Sequence, residues 1–161
     1  MLPYTVIKEA NPPQYGGTAT NDNAPAGNVG EYVSSTIASG AAVALTTGVA
    51  ANITSLSLTA GDWDVWINSH WSGGATTVVN FLEACISTTS ATIDANPGKI
   101  GTFSGFSSTP FNAAVGDAVV VPVGPFRLSL SVTTTVFFVA KAGFGTSTCS
   151  AFGIIQARRR R

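Results

Sequence analysis

The chain has 161 residues, a formal net charge of zero and 10% charged residues against 45% hydrophobic ones. Because ordinary soluble domains carry about 25% charged residues, we expect a surface rich in hydroxyl groups rather than in ion pairs. Four of the eight Lys and Arg residues form the run RRRR at positions 158–161, so the rest of the chain is mildly acidic. This distribution argues against a nucleic-acid-binding body, which needs a broad basic face.

The length suits one domain with a hydrophobic core. The N-terminal stretch MLPYTVIKEANPPQYGG lacks the basic and apolar regions of a secretory signal, and no window approaches about 18 consecutive apolar residues. We therefore expect a chain that is made in a cytoplasm and does not bind a membrane. The two cysteines, Cys85 and Cys149, are expected to be buried thiols rather than a disulfide.

Residues 1–29 differ in composition from the rest of the chain. The stretch NPPQYGGTATNDNAPAGN combines Pro, Gly, Asn, Asp and Thr without an apolar period of either kind. The sequence therefore predicts an extended arm over residues 1–29 that has no core of its own. A single domain is predicted over residues 30–161.

Short β-rich runs begin after this arm. Each run is rich in Val, Ile, Thr or aromatic residues and is bounded by Gly, Pro, Asn or Ser, which is typical of strands and their turns. In chain order the runs are EYVSSTIA, NITSLSLTA, DWDVWINSHW, TVVNFLEACIS, DAVVVPVG, FRLSLSV, TTVFFVAKAGFG and CSAFGIIQA. They predict about eight strands, and no stretch has a sustained helical period.

Polar and apolar residues alternate within several of these runs. In ITSLSL, Leu56 and Leu58 share one side of the strand while serines occupy the other. A strand with one buried and one wet face is typical of antiparallel sheets. The sequence thus predicts an all-β, antiparallel two-sheet sandwich, most simply an eight-stranded jelly roll. The Gly-rich stretch 94–115 is predicted to be an exposed loop with a short strand near residues 100–103.

The stretch GDWDVWINSHW contains two carboxylates, the only histidine and all three tryptophans of the chain. On a strand, Trp63, Val65 and Ile67 share one face and are predicted core residues. The opposite face carries the row Asp62, Asp64, Trp66, Asn68 and His70. Such a row can bind a sugar or a metal, but its carboxylates, about 7 Å apart, have no recognisable acid/base partner, and a single His is a weak metal signal. We interpret it mainly as the outer side of a core strand or as part of a subunit interface.

Catalytic signatures are otherwise missing from the sequence, which has no nucleophile elbow, phosphate loop, zincin helix or paired Cys motif. We therefore predict no enzyme, no metal and no organic cofactor. Phe103, Phe106 and Phe111 share one polar stretch, which predicts burial against a neighbouring chain or against the end of the same sandwich. Both interpretations stay open.

Several segments resemble a family of small proteins and fibre-terminal domains encoded by tailed bacteriophages. The similarity runs over residues 26–161, and its most specific pieces are GNVGEYVSS, LTAGDWDVW, STTSAT and the closing ARRRR. This resemblance implies a virion structural protein on a capsid or tail surface. A looser similarity to the trimeric jelly rolls of the tumour-necrosis-factor and C1q type implies a homotrimer. Trp66 and Phe137, on the outer faces of their strands, are the predicted interface residues.

Two functions follow from these features. The first is a homotrimeric capsid decoration (cement) protein whose arm and basic C-terminus hold the major capsid protein or another virion protein. Both termini are expected at one end, because the first and last strands of a jelly roll lie side by side. The predicted attachment residues are Tyr4, Ile7, Tyr15, Arg158, Arg159, Arg160 and Arg161. The second function is a head or tail fibre tip that binds a host surface glycan. Its predicted contacts are Phe103, Phe106, Phe111, Asp62, Asp64 and His70.

Overall fold

Alternating apolar and polar residues form nine β-strands in the computed structural model of the chain, which describes residues 20–104 and 119–161. The strands are β1 (Tyr32–Ile37), β2 (Val43–Ala44), β3 (Ala51–Leu58), β4 (Gly61–Gly73), β5 (Val78–Ser87), β6 (Ile100–Ser104), β7 (Val119–Leu130), β8 (Thr134–Gly145) and β9 (Cys149–Arg159). The helical structure in these residues is one 3-10 turn, Ser39–Ala41. Within the described ranges, no helix reaches the length and hydrophobicity that a membrane crossing requires.

The strands form two antiparallel sheets. One sheet has the order β1-β9-β4-β7, with β2 also pairing with β9, and the other has the order β3-β8-β5-β6. Four antiparallel strand pairs are nested in sequence, as in one long hairpin that is folded over. From the outermost to the innermost they are β1·β9, β3·β8, β4·β7 and β5·β6. Winding such a hairpin into two facing sheets gives a jelly roll. The predicted fold class is therefore confirmed.

The core lies between the two sheets and is built from the inward faces of their strands. On β4, Trp63, Val65 and Ile67 are fully buried, as the alternation predicts. The same inward face carries one polar residue, Ser69, whose hydroxyl donates to the backbone oxygen of Val121 at 2.6 Å. This buried hydroxyl also accepts a bond from the indole of Trp71, so that its burial leaves no polar atom unpaired.

The two predicted strands DAVVVPVG and FRLSLSV form a single strand, β7. Between the pairs Val65–Phe126 and Ile67–Val123, one residue of β4 lies opposite two residues of β7. The extra residue of β7 forms a β-bulge where Gly124 adopts a φ of +87°. The pairing with β4 therefore continues past Gly124 and Pro125, although these two residues predict a strand boundary in the sequence. The short strand predicted near residues 100–103 is confirmed as β6.

Both cysteines are free, buried thiols, as expected. Cys149 belongs to the core between the sheets. Cys85 lies on β5 beneath the segment that contains Asp94, whose backbone N–H donates to its sulfur at 3.0 Å. Burial raises the pKa of both thiols, and that of Cys149 reaches about 11.

Neither thiol is expected to react with Ellman's reagent in the folded protein at about pH 8, because the thiolate is the reactive species and is scarce when the pKa is raised. Both thiols should react within minutes once guanidinium chloride unfolds the chain. Absorbance of the released chromophore measures the two reactions. Rapid release of a full equivalent from the folded protein would contradict the burial of at least one thiol.

The first and last strands bring distant parts of the chain to one end of the sandwich. Tyr32 of β1 lies opposite Arg158 of β9, and Arg158 also lies opposite Asp64 of β4. Asp64 in turn pairs with Arg127 of β7. We call this end the base and define it as residues 21–32, 61–64 and 158–161 together with Arg127.

The described part of the predicted arm, residues 20–29, contains no strand and lies against the beginning of β1. The side-chain amide of Asn23 donates to the backbone oxygen of Tyr32 at 2.7 Å and accepts from its N–H at 2.9 Å. Asn23 thus occupies the place of a neighbouring strand at the edge of the sheet. The other predicted arm residues, Tyr4, Ile7 and Tyr15, lie outside the described residues.

Candidate functional site

All five arginines of the chain lie at the base. They come from two strands, because Arg127 belongs to β7 and the other four follow one another at the end of β9. Three carboxylates, Glu31, Asp62 and Asp64, lie among them. The base therefore concentrates charge in a chain that is otherwise poor in it.

Arg159 is enclosed by the protein, with 4% of its side chain exposed. Its Nε donates to Glu31 at 2.9 Å, its Nη1 donates to the backbone oxygen of Ala60 at 2.9 Å, and its guanidinium lies 4.2 Å from the ring centre of Trp63. A Cβ at Gly61 would lie 2.0 Å from Nη1, so the glycine leaves the space that this side chain fills. Arg159 is a structural residue inside the base and is not presented on its surface.

Glu31 is the buried partner of Arg159. Its carboxylate also accepts a bond from the backbone N–H of Gly27 at 2.8 Å. Burial by itself raises the pKa of Glu31, but the hydrogen bonds from Gly27 and Arg159 outweigh burial and leave the pKa below its usual value. The pair links the start of β1 to the end of β9.

Asp62 collects a second group of arginines. Arg127 donates to both of its oxygens, at 2.7 and 2.9 Å, and the Nε of Arg161 lies 2.9 Å from one of them. The hydrogen bonds from Arg127 are the main cause that lowers the pKa of Asp62. Arg160 makes a longer contact with Asp64, at 3.5 Å. These residues enclose an open groove of about 300 Å³, lined by Asp62, Arg127, Arg160 and Arg161.

Arg158 points to a different groove. It is exposed and, with Tyr32 and residues 21–25 and 28–30, lines an open groove of about 900 Å³. The four arginines of the C-terminal run therefore have three environments. Arg158 and the pair Arg160 and Arg161 are accessible from solution on two sides of β9, and Arg159 is buried between them.

The two predicted interface residues lie on the outer faces of different sheets. Trp66 lies on β4, with its ring centre 6.4 Å from that of Tyr32. Phe137 lies on β8 of the second sheet, opposite Ser55 and Ser87. Both side chains are half-buried in the single chain. The structure therefore does not bring them together on one surface of the protomer.

The residues predicted for glycan binding do not converge. Asp62 and Asp64 are engaged by arginines at the base, whereas His70 stacks on Phe152 at a ring distance of 5.3 Å. His70 lies eight residues beyond Asp62 on β4, or roughly 26 Å along the strand. Phe103 is 45% exposed on β6, in the other sheet. Phe106 and Phe111 lie outside the described residues, and within the described ranges no three His, Cys, Asp or Glu side chains form a group that could hold a metal.

A low pH is expected to destabilise the protein by protonating the carboxylates of Glu31 and Asp62 at the base of the sandwich. Because the pKa values of Glu31 and Asp62 are lowered by folding, their ionised forms stabilise the fold above the unfolded carboxyl range, near pH 4, and this stabilisation is lost as the pH falls towards the folded pKa values. The melting temperature should be level between about pH 7 and pH 5 and should fall below about pH 4.5.

Differential scanning fluorimetry across this pH range measures the effect. The variant Asp62→Asn is the control. Its melting temperature should be lower than that of the wild type at neutral pH and should fall by a smaller amount as the pH is lowered. A wild-type melting temperature that stays constant or rises down to pH 3 would contradict the assignment of these carboxylates.

Comparison with solved structures finds eight similar chains. The chain is similar to the crystal structure of an infectious bursal disease virus VP2 subviral particle, with a TM-score of 0.46 and 11% sequence identity. The similarity covers 81% of this chain and 32% of the VP2 chain, so this chain spans less than a third of that one. No protein-family model matches the chain, and no curated protein matches it.

Proposed function

We propose that this protein is a structural component of a tailed-bacteriophage virion, a homotrimeric decoration protein held on the capsid by its base. The observation that carries the proposal is that the end of the predicted arm and the arginine-rich end of β9 meet at one end of the jelly roll. An attachment surface made from both is thereby possible without any rearrangement of the sandwich. The resemblance of GNVGEYVSS, LTAGDWDVW and ARRRR to the phage family supports the virion assignment.

A homotrimer is the assembly that we propose for it. Closed threefold interfaces are heterologous, which means that each copy offers two different surfaces to its neighbours. Trp66 and Phe137, on opposite outer faces, fit this requirement better than they fit a twofold interface built from one patch. Around Trp66 the outer face carries further half-buried apolar side chains, Tyr32, Phe152 and Ile154.

The oligomeric state is measured by light scattering of the purified protein at micromolar concentration. A mass of three chains is expected, and the variant Trp66→Glu should shift it towards one chain, because a carboxylate would be buried in an apolar contact. The exposed Ser39→Glu, in the 3-10 turn and outside β4 and β8, is a control for added charge. A wild-type mass of one chain would overturn the trimer.

The second candidate function, a fibre tip that binds a glycan, rests on Phe103, which is large, apolar and partly exposed at the edge of the second sheet. It is less well supported, because Asp62 and Asp64 already hold arginines and His70 lies far along the strand. We therefore prefer attachment through the base.

Co-sedimentation with particles that lack the native copy tests attachment. Residues 20–29 contact β1 and Glu31, so the deletion that separates arm from fold is residues 1–19. We expect this deletion to leave the oligomeric mass and the melting temperature nearly unchanged and to reduce the bound fraction at least tenfold. Binding equal to that of the full chain would refute attachment through the arm.

A further inference from the structure

The groove lined by Asp62, Arg127, Arg160 and Arg161 has more hydrogen-bond donors than its own carboxylates use. A guanidinium carries five N–H donors, and Arg127 directs two of them to Asp62. Arg161 contacts the same carboxylate through Nε, and Arg160 makes one contact with Asp64 at 3.5 Å. Among side chains, three positive charges face two negative ones.

Asp62 holds these donors in place. Its side chain is 8% exposed at the floor of the groove, whereas those of Arg127, Arg160 and Arg161 are 50, 52 and 74% exposed. The buried carboxylate thus fixes two guanidinium groups by their Nε edges and leaves further N–H groups directed to solvent. Planar forks fixed in this way suit an oxyanion that accepts two bonds at once.

We propose that this groove binds a carboxylate of an acidic segment in a partner protein, an inference that rests on the proposed attachment through the base. A nucleic acid fits less well, because its phosphates need a row of cationic sites and the groove is a single site. In the described ranges the other Lys and Arg side chains lie outside this groove. Arg158 lines the other groove, and Arg159 is buried. Lys99 pairs with Asp94 in the segment before β6, and Lys141 pairs with Glu83 on the second sheet. They do not extend the groove into a stripe.

The inference also changes which residues carry attachment. Arg127 is absent from the C-terminal run, yet it is the guanidinium of the groove that donates to both oxygens of Asp62. Arg159, inside the run, contributes nothing to the groove because it is buried. Arg158 lines the other groove and provides a matched control of equal charge.

The test measures binding of a fluorescently labelled hexaglutamate peptide to the purified protein at low salt, by anisotropy. Arg127→Gln is expected to weaken binding at least tenfold, Arg161→Gln at least threefold and Arg158→Gln less than twofold. Circular dichroism and the melting temperature verify that each variant folds, and Arg161→Gln, which alters a mostly exposed side chain, keeps the test valid if Arg127→Gln does not fold.

Three outcomes would overturn the inference: no binding of the peptide, equal losses for Arg127→Gln and Arg158→Gln, or tighter binding of a hexathymidylate of similar charge. Two competitors are compared at equal total charge. Inorganic phosphate should displace the labelled peptide less well than the unlabelled glutamate-rich peptide does. The peptide assay uses the isolated protein, so its outcome is independent of co-sedimentation. Peptide binding without co-sedimentation would reject virion attachment but keep the proposed carboxylate site. Co-sedimentation without peptide binding would reject only the carboxylate site.

Discussion

Replacement of Arg159 by alanine is expected to lower the melting temperature by about 6 to 12 °C. Removing one member of a buried ion pair costs about 3 kcal/mol or more, because the other charge stays buried without a partner, and in a domain of this size 1 kcal/mol corresponds to about 2–4 °C. Glu31 would be that unpaired charge, and Ala60 would lose the donor to its backbone oxygen. The contact with the ring of Trp63 would be lost as well.

Two further variants make this expectation specific. Arg160→Ala removes the neighbouring arginine, whose long, half-exposed contact with Asp64 should contribute less than about 1 kcal/mol. Adding Glu31→Gln to Arg159→Ala should recover part of the lost stability, since it removes the unpaired charge. If Arg159→Ala and Arg160→Ala melt at the same temperature in differential scanning fluorimetry, Arg159 is not the buried structural residue described above.

Replacement of Gly153 by alanine is expected to have an effect at least as large. Gly153 lies on β9 opposite Ser69 of β4, with a φ of +131° that L side chains rarely adopt. A Cβ there would lie 2.2 Å from the backbone oxygen of Asn68, and a backbone atom in a central ladder cannot move without breaking the pairing. We expect a loss of more than about 3 kcal/mol, measured as a lower urea midpoint.

Gly40 is the matched control for this substitution. It lies in the 3-10 turn with an ordinary φ, and a Cβ there would meet no atom within 4 Å. Gly40→Ala should therefore leave stability unchanged or raise it by up to about 1 kcal/mol, because alanine restricts the unfolded chain. Equal urea midpoints for Gly153→Ala and the wild type would show that β4 and β9 do not approach as closely as described.

The fold was largely predictable because it rests on local alternation. The apolar face of β4, with Trp63, Val65 and Ile67, follows from a period of two residues that a sequence displays directly. The same period does not predict that two of the runs join into β7. In a sequence, Gly124 and Pro125 indicate a turn, and the bulge that they form instead is visible only in the pairing with β4. Pairing with β4 decides between the two, and pairing is a tertiary property.

The arginine pairs were missed for a similar reason. Glu31 is 128 residues from Arg159, and Asp62 is 65 residues from Arg127, so no short motif contains both partners. A usable signal existed, however, in the order of the strands. In a jelly roll the last strand pairs with the first one, and acidic residues that precede β1 or begin β4 then lie beside basic residues that end β9. The run of arginines therefore predicts partners within the chain as well as outside it.

Labelling of virus particles with an antibody to this protein tests the proposed decoration of a capsid most directly. Virus particles purified from cells that produce this protein would be imaged by electron microscopy with gold-labelled antibody, and particles from a strain that lacks its gene would serve as the control. Attachment through the base of a decoration protein predicts gold distributed over the head. Gold confined to the tail would instead support the fibre tip, and particles without label, from cells that contain the protein, would contradict a structural role in the virion.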